Sequence, residues 1–326
     1  MAMMRALQQT TLDGPGDLRL IDTPVPVPGP GELLVRVTAA GINFADVMQT
    51  RGTYAGGPSA PYLAGFEAAG RVVALGPGVT GPRIGTAVVG TGHGAFAEYM
   101  TMPAAEAISV PAGWADEQAL GLVLNWATAL AALKPLGRVA PGENVLIHAA
   151  AGGVGQAAVR MAKHYGATVI AVTSAGKHAT VRGLGADHVL ERGAAGLAAQ
   201  VLRLTGGAGA DLVLESAGGG AFAATLAATR RVTGRVVVYG FAGGAAAITS
   251  RDLVFDHPVQ VIGLHIGTLA REAPEMFAEL RAELVSLRAA RVHVPGRPAM
   301  YDLADGPKVL AELEAGSTTG KLALRP

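Results

Sequence analysis

The chain has 326 residues, of which 50% are hydrophobic and 16% charged, and its formal net charge at pH 7 is +1. Such a chain can bury large cores, and we expect it to divide into two domains. Its near-neutral charge and the lack of a long basic run argue against nucleic acid or anionic membrane as the main partner. The sequence has no cysteine, which excludes disulfides, thiolate nucleophiles and cysteine-ligated metal sites.

The sequence gives no sign of targeting to or through a membrane. Residues 1–20 contain no apolar core followed by a cleavage site, so we do not expect a signal peptide. The longest apolar stretch, residues 119–133, is too short to span a bilayer and includes Asn125 and Thr128. We therefore expect a cytoplasmic protein.

The first 110 residues are predicted to be rich in β-strands. Short apolar runs alternate there with Pro and Gly, most clearly in PVPVPGPGE at 24–32. The predicted strands lie at 33–38, 70–75, 87–90 and 95–100.

From about residue 115 the pattern changes to strands alternating with helices. Five strands are predicted near residues 144, 168, 187, 211 and 235, and helix-length segments separate them. This alternation predicts a parallel, doubly wound sheet. A last apolar run follows at 259–264, and then helices at 271–289 and 304–315 and a strand at 321–324.

A glycine-rich turn joins the first of these strands to the helix that follows it. The run at 144–149 reads as a strand, 150–155 as a turn almost free of side-chain bulk, and 156–165 as a helix. The pattern is A-x-G-x-x-G, in which Ala150 replaces the usual first glycine. Such a turn lets backbone N–H groups approach a pyrophosphate, and the alternative is a merely structural turn. The predicted contacts are Ala151, Gly152, Gly153, Val154 and Gly155.

The end of the strand at 168–173 indicates which dinucleotide binds. A site that prefers NAD usually places Asp or Glu there, but this chain has no carboxylate before Asp187. Hydroxyls and cations suit a phosphate monoester, so we predict NADPH. The alternative is that Lys177 only begins a solvated helix. The predicted contacts are Thr173, Ser174 and Lys177, with Arg192 close enough in sequence to assist.

Four motifs together resemble one known family. They are GINFADVMQTRGTY (41–54), PYLAGFEAAGRVVALGPGV (61–79), AAAGGVG (149–155) and GKLAL (320–324). They resemble the zinc-independent, zeta-crystallin-like quinone oxidoreductases of the medium-chain dehydrogenase/reductase superfamily. The resemblance implies an α/β protein with a GroES-like catalytic domain at 1–120, completed by 264–326, and a Rossmann NADPH-binding domain at 121–263.

The resemblance also implies the roles of several residues. It places Asn43 and Tyr54 at the nicotinamide and the substrate, and Thr128 at the cofactor. It further places the Gly240-Phe241 turn along the cofactor and Lys321 at its phosphate or ribose. Each has a structural alternative: Asn43 could satisfy a turn, Tyr54 could anchor an interface, and Thr128 could fill a helix-packing position.

The sequence departs from the zinc-dependent relatives of this family. Where they have G-H-E, this chain reads Gly65-Phe66-Glu67, and its eight histidines show no pair at ligand spacing. We therefore expect no metal and no Lewis-acid activation of the substrate. Glu67 is a candidate buried carboxylate, but the sequence does not identify its partner.

The resulting functional hypothesis is an NADPH-dependent quinone reductase that transfers hydride directly. One alternative is an enoyl or 2-alkenal reductase, because both acceptors are flat conjugated carbonyl compounds. Another is a nucleotide-binding protein with a structural or regulatory, crystallin-like task. From the resemblance we also expect a homodimer, in which the run at 259–263 extends a sheet across a two-fold axis.

Overall fold

The computed structural model describes residues 2–326 and divides them into two compact units. Unit 1 comprises residues up to Val123 together with Pro295–Pro326, and unit 2 comprises Leu124–Val294. The first boundary lies close to the expected one at 120. The second lies at 295, whereas the family resemblance implied one at 264.

Unit 1 is built mainly from β-strands. Its strands are β1 (Met3–Gln9), β2 (Leu18–Pro24), β3 (Glu32–Ile42), β4 (Tyr62–Leu63), β5 (Glu67–Leu75), β6 (Ala87–Thr91), β7 (Tyr99–Pro103) and β8 (Ile108–Ser109), and the last segment adds β15 (Ala299–Asp302) and β16 (Leu322–Arg325). Its two α-helices are α1 (Phe44–Thr50) and α9 (Gly306–Glu314).

The long strand β3 organises unit 1. It alternates buried and less buried residues, and Leu33, Val35 and Val37 are at most 6% exposed. β3 pairs with β5, β7 and β16 in a seven-stranded sheet, while β2, β1 and β4 form a separate three-stranded sheet. Because Leu322 pairs with Ile42, the last strand of the chain lies beside the end of β3.

Unit 2 alternates strands and helices as the sequence predicted. Its elements are α2 (Ala127–Leu133), β9 (Asn144–Ile147), α3 (Gly153–His164), β10 (Thr168–Thr173), α4 (His178–Gly183), β11 (His188–Glu191), α5 (Leu197–Leu204), β12 (Leu212–Glu215), α6 (Phe222–Ala228), β13 (Arg235–Val238), β14 (Gln260–Gly263), α7 (Ile266–Glu272) and α8 (Pro274–Ala289).

The six strands of unit 2 form one parallel sheet. Their order is β11-β10-β9-β12-β13-β14, and every neighbouring pair is parallel. Counted from β9, this is the order 3-2-1-4-5-6 of a Rossmann fold. The predicted doubly wound sheet is therefore confirmed. The carboxyl ends of β9, β12 and β13 lie side by side, which brings the loops after them together.

Residues 264–294 belong to unit 2 because of how α8 packs. Leu280, Leu284 and Leu287 are at most 5% exposed and share one hydrophobic cluster with α2 and α3. The single helix expected at 271–289 is two helices, since Pro274 begins α8 directly after α7 ends. The sequence alone could not assign this apolar stripe to a unit.

Within residues 2–326, no helix combines the length and apolarity needed to cross a membrane.

Candidate functional site

The glycine-rich turn of unit 2 lies between β9 and α3, as the sequence predicted. Ala149 has a positive φ of 48°, and the N–H of Gly152 donates to the Ala149 carbonyl at 2.9 Å. A Cβ on Gly155 would clash with that same carbonyl oxygen, so the turn can meet the helix only with glycine there. The local sequence therefore sets the conformation of the turn.

The start of α3 has the properties of an anion-binding site. The helix begins at Gly153 and runs for 12 residues, so its first N–H groups lack partners within the helix and its amino end carries a partial positive charge. Ala151 is 2% exposed, and Gly152 and Val154 flank the helix start. Small residues at this point leave room for a pyrophosphate.

Asn125 is a neighbour of this turn that the sequence analysis did not select. Its side-chain amide lies 3.2–3.3 Å from the position that a Cβ on Gly153 would occupy. Asn125 belongs to a π-helical turn, Leu122–Trp126, that leads into α2. Such π-helical turns occur often at functional sites. In the sequence, Asn125 could have been selected because it is a polar residue within a long apolar stretch. Thr128, in the first turn of α2, is buried at 8% exposure.

The end of β10 carries the predicted cations. Ser174 and Lys177 bracket a short 3₁₀ turn, and the N–H of Arg192 donates to the Thr173 carbonyl at 2.8 Å. Partial burial and the nearby Arg192 guanidinium lower the pKa of the Lys177 ammonium. Two cations thus lie close enough to repel each other, which suits a doubly charged anion. Thr173 itself is only 4% exposed.

Asp187, the first carboxylate after the turn, is engaged elsewhere. Its carboxylate accepts hydrogen bonds from Lys163 Nζ at 2.8 Å and from the Val169 N–H at 2.7 Å. Val169 lies near the beginning of β10, far along the strand from Thr173 at its end. Asp187 therefore does not occupy the position at which a carboxylate would receive a ribose hydroxyl.

Gly240 and Phe241 lie in the loop after β13. Backbone hydrogen bonds join this loop to the loop after β12. The N–H of Gly219 donates to the Gly244 carbonyl at 2.8 Å, and the N–H of Ala242 donates to the Ser216 carbonyl at 3.0 Å. Phe241 is 41% exposed, so its ring is available to a ligand.

In unit 1, three polar side chains form what we call the Asn43 cluster: Asn43, Glu67 and Lys321. The Lys321 ammonium lies 2.5 Å from Glu67 Oε2 and 2.7 Å from Asn43 Oδ1. Asn43 Nδ2 donates to Glu67 Oε2 at 2.9 Å and to the Gly41 carbonyl at 3.3 Å. Glu67 is fully buried and also accepts the Gly121 N–H at 2.5 Å.

The cluster engages two residues that the resemblance places at the cofactor. Lys321 also donates to the Ile42 carbonyl at 3.1 Å, so its three N–H donors all have acceptors within unit 1. The family resemblance implies that Lys321 lies at the cofactor phosphate or ribose, and in the structure its ammonium pairs with the buried Glu67 carboxylate. Both amide hydrogens of Asn43 are likewise donated within unit 1.

The structure identifies Lys321 as the partner of Glu67, which the sequence did not reveal. Lys321 precedes β16, and the pairing of β16 with β3 brings this lysine to the end of β3. A Cβ at Gly41 would collide with the Glu67 carboxylate, so glycine is required there as well. No local pattern links positions so far apart in sequence.

Asp46 lies in the first turn of α1, and its charge acts on Tyr54, which follows that helix in sequence. Asp46 accepts the Asn43 N–H at 2.7 Å and completes a capping box at the start of α1. Burial raises the pKa of Asp46 to about 8, against the lowering effects of the Asn43 N–H and Lys321. Partial burial, followed by the charge on Asp46, raises the pKa of the Tyr54 hydroxyl. Tyr54 is therefore a neutral hydrogen-bond donor at physiological pH.

Residues 2–326 contain no group of three or more His, Asp or Glu side chains arranged to hold a metal ion.

Two family models match the chain. The model described as "Alcohol dehydrogenase GroES-like domain" matches residues 29–112, and that described as "Zinc-binding dehydrogenase" matches residues 153–284. The first lies in unit 1 and the second in unit 2. The expected combination of a GroES-like and a Rossmann domain is thus confirmed.

Solved structures resemble the chain over its whole length. A mycobacterial protein solved with NADPH is 34% identical, with 99% of this chain and 100% of that chain covered and a TM-score of 0.92. Quinone oxidoreductase of Escherichia coli, also solved with NADPH, is 30% identical with both chains fully covered and a TM-score of 0.90. The CurK enoyl reductase is 26% identical, with 99% of each chain covered and a TM-score of 0.89.

These similarities identify the family. The chain belongs to the medium-chain dehydrogenase/reductase superfamily of oxidoreductases, among its zinc-independent quinone oxidoreductases.

Curated relatives match over part of the chain. Prostaglandin reductase-3 of Bos taurus is 44% identical over 168 residues, which cover 51% of this chain and 44% of that protein. The chain spans at most about half the length of the curated relatives that it matches, from 3% of a polyketide synthase of Streptomyces halstedii to 49% of the human synaptic vesicle membrane protein VAT-1 homolog.

Proposed function

We propose that this protein is an NADPH-dependent quinone reductase that works by direct hydride transfer. The observation that carries the proposal is the pair of cations, Lys177 and Arg192, at the end of β10, where an NAD-specific site would have a carboxylate. Asp187 is held at the other end of that strand by Lys163 and Val169.

The residues of unit 2 fit this cofactor. The turn at 151–155 offers the backbone N–H groups of the α3 start to the pyrophosphate, and Gly155 leaves no side chain in the way. Lys177, Arg192 and Ser174 bind the 2′-phosphate, and Thr173 supports this strand end. Thr128, Gly240 and Phe241 contact the remainder of the cofactor. When bound, NADPH supplies a hydride from its nicotinamide ring.

In unit 1, Tyr54 is the residue that we assign to the acceptor oxygen. Negative charge grows on that oxygen as hydride arrives, and a neutral hydroxyl stabilises it by donating a hydrogen bond. The raised pKa of Tyr54 keeps this hydrogen in place. Asn43 faces the nicotinamide and substrate in this proposal, but its amide hydrogens are already donated to Gly41 and Glu67, so it positions rather than donates.

The acceptor that we propose is a quinone. Hydride adds to the quinone and solvent supplies a proton, which yields the hydroquinone and oxidised cofactor. A hydroquinone anion is stable enough that no strong internal acid is required. The similarity to quinone oxidoreductases over both whole chains supports this acceptor class.

The second candidate is an enone or enoyl reductase, which adds hydride to the β-carbon of an activated alkene. The similarities to the CurK enoyl reductase and to prostaglandin reductase-3 favour it. Both candidates use the same cofactor and the same Tyr54 hydroxyl, and they differ in the product, which is a hydroquinone in the first case and a saturated carbonyl compound in the second.

A panel of acceptors tests the proposal. Consumption of NADPH is measured with simple quinones, enones and enoyl thioesters for the wild type, Tyr54→Phe and, as a control in unit 1, Tyr301→Phe. We expect the highest kcat/KM with quinones and a loss of roughly 10-fold or more in Tyr54→Phe, because one oxyanion donor is removed.

Two results would contradict the proposal. A wild type that oxidises NADPH only with enones or enoyl thioesters would establish the second candidate instead. Equal activity of Tyr54→Phe and Tyr301→Phe would remove Tyr54 from the reaction.

We also propose that the protein is a cytoplasmic homodimer. β14 lies at the edge of the six-stranded sheet, and Val261 on it is 38% exposed, so its backbone groups can pair with a second copy. The mass of the protein in solution tests this assembly.

A further inference from the structure

Three side chains of unit 2 form a buried network that the proposed reaction does not use. We call this the Glu215 network: His148, Glu215 and Thr225. The Thr225 hydroxyl donates to Glu215 Oε2 at 2.6 Å, and Thr225 Oγ1 lies 2.9 Å from His148 Nε2. Glu215 and Thr225 are fully buried, and His148 is 3% exposed.

The hydrogen bonds define the form of the histidine. The single hydrogen of the Thr225 hydroxyl goes to the carboxylate, so the histidine nitrogen beside it must be the donor. Burial lowers the pKa of His148, although the Glu215 charge opposes this shift. His148 is therefore neutral and carries its hydrogen on Nε2.

Glu215 reaches the loop after β12 through its other oxygen. Oε1 accepts the N–H of Ala217 at 2.6 Å and the N–H of Gly218 at 2.9 Å. The same loop is joined to the loop after β13, since the N–H of Gly219 donates to Gly244. Glu215 thus holds the loop after β12 directly, and backbone hydrogen bonds link that loop to the loop after β13.

His148 connects this carboxylate to the glycine-rich turn. It follows β9 directly and precedes Ala149, whose φ of 48° begins the turn. The His148 N–H donates to the Leu214 carbonyl at 3.1 Å, so both its backbone and its side chain are held against the β12 end. The residue before the turn is therefore anchored through both its backbone and its side chain.

We propose that the Glu215 network is a positioning device for the cofactor: through His148 and Thr225, Glu215 holds the glycine-rich turn and the loops after β12 and β13 in the geometry that binds NADPH. The inference rests on the proposed function, because it takes NADPH as the cofactor. Glu215 and Thr225 are fully buried and His148 is 3% exposed, so these side chains offer almost no surface to a bound ligand. Their effect is on the affinity for the cofactor and not on the chemical step.

The test compares substitutions at Thr225, which change one hydroxyl without removing the buried carboxylate. Thr225→Val has nearly the same shape but cannot bridge Glu215 and His148, whereas Thr225→Ser keeps the bridge. Thr229→Val is the matched control, because Thr229 is also buried, at 3% exposure, and its hydroxyl donates to the Thr225 carbonyl at 2.8 Å. The Kd and KM for NADPH and the kcat at saturating NADPH are measured for all four proteins.

We expect Thr225→Val to raise Kd and KM for NADPH by about 10-fold, because a hydrogen bond to a charged group is lost, and to leave kcat within about 2-fold. Thr225→Ser and Thr229→Val are expected to keep the wild-type Kd within about 2-fold. This split between KM and kcat would not follow from a general loss of stability.

Equal Kd values for Thr225→Val and Thr229→Val would overturn the inference, and so would a loss in kcat alone. A wild type that binds no NADPH would overturn the proposed function and the inference with it. A wild type that binds NADPH while Thr225→Val is unaffected would overturn the inference only.

Discussion

Unit 1 and unit 2 each bury a carboxylate completely, and they stabilise it in different ways. Glu67 begins β5, and the Lys321 ammonium lies 2.5 Å from its carboxylate, so a full positive charge compensates its negative charge. Glu215 ends β12 and accepts hydrogen bonds from two backbone N–H groups and one hydroxyl, and the neutral His148 imidazole lies 3.4 Å from its Oε2. An ion pair therefore stabilises Glu67, whereas the dipoles of hydrogen-bond donors stabilise Glu215.

The difference shows what each carboxylate holds together. Glu67 joins the ends of β3 and β16 and the N–H of Gly121, which are parts of the framework of unit 1. Glu215 joins loops at the carboxyl edge of a parallel sheet, where ligands of such folds bind. A defect at Glu67 should therefore reduce stability, and a defect at Glu215 should reduce cofactor affinity.

The largest effect is expected from Lys321→Met. The substitution leaves Glu67 buried without its cation, and breaking a buried pair in this way costs about 3–5 kcal/mol in free energy of unfolding. Urea unfolding measures the loss. Lys308→Met is the control in the same unit, because Lys308 is 77% exposed and its ammonium lies as far as 4.0 Å from the Glu312 carboxylate. This substitution should lower the free energy of unfolding by less than about 1 kcal/mol.

Adding Glu67→Gln to the Lys321→Met protein sharpens this prediction. Removal of the unpaired charge should recover part of the lost stability, because a neutral amide costs less to bury than a carboxylate. Equal destabilisation by Lys321→Met and Lys308→Met would show that the ion pair does not hold unit 1 together.

A second prediction concerns Asp46, whose pKa burial raises from 3.8 to about 8. The folded state then binds a proton more tightly than the unfolded state, so this group's contribution to stability is complete below pH 4 and declines as pH rises toward 8. Asp46→Asn should remove this decline, which amounts to at most about 1.4 kcal/mol per pH unit. Unfolding by urea across this pH range measures it.

The control for Asp46 is Asp13→Asn, which changes an exposed carboxylate of the same unit. It should leave the pH dependence of the wild type in place. Parallel pH profiles for the wild type and Asp46→Asn would contradict the raised pKa.

The sequence predicted best what depends on local patterns. The five strands between residues 144 and 238 were found because β-branched runs alternate with helical spacing. The turn before α3 was found because only small residues fit there. The boundary at 264 differs from the observed 295, since whether α8 packs on α2 or on another element is a tertiary property.

Contacts between distant positions were beyond the sequence. Lys321 reaches Glu67 only because β16 pairs with β3, and its expected place at the cofactor followed from resemblance and not from its neighbours. Glu215 and His148 were not selected at all, because each is a single polar residue at the end of an apolar strand. The order of the strands in the sheet brings these two residues together, and their spacing along the chain does not predict this contact.

The most direct test of the account is the equilibrium binding of NADPH and NADH to the wild type, to Lys177→Ala and, as a control, to Arg203→Ala, which changes an exposed cation of the same unit. We predict that Lys177→Ala raises the Kd for NADPH by about 10-fold or more and changes the Kd for NADH by less than about 2-fold, because only NADPH carries the 2′-phosphate. Arg203→Ala should change neither. Equal weakening of both cofactors by Lys177→Ala would contradict the assignment of this strand end to the phosphate.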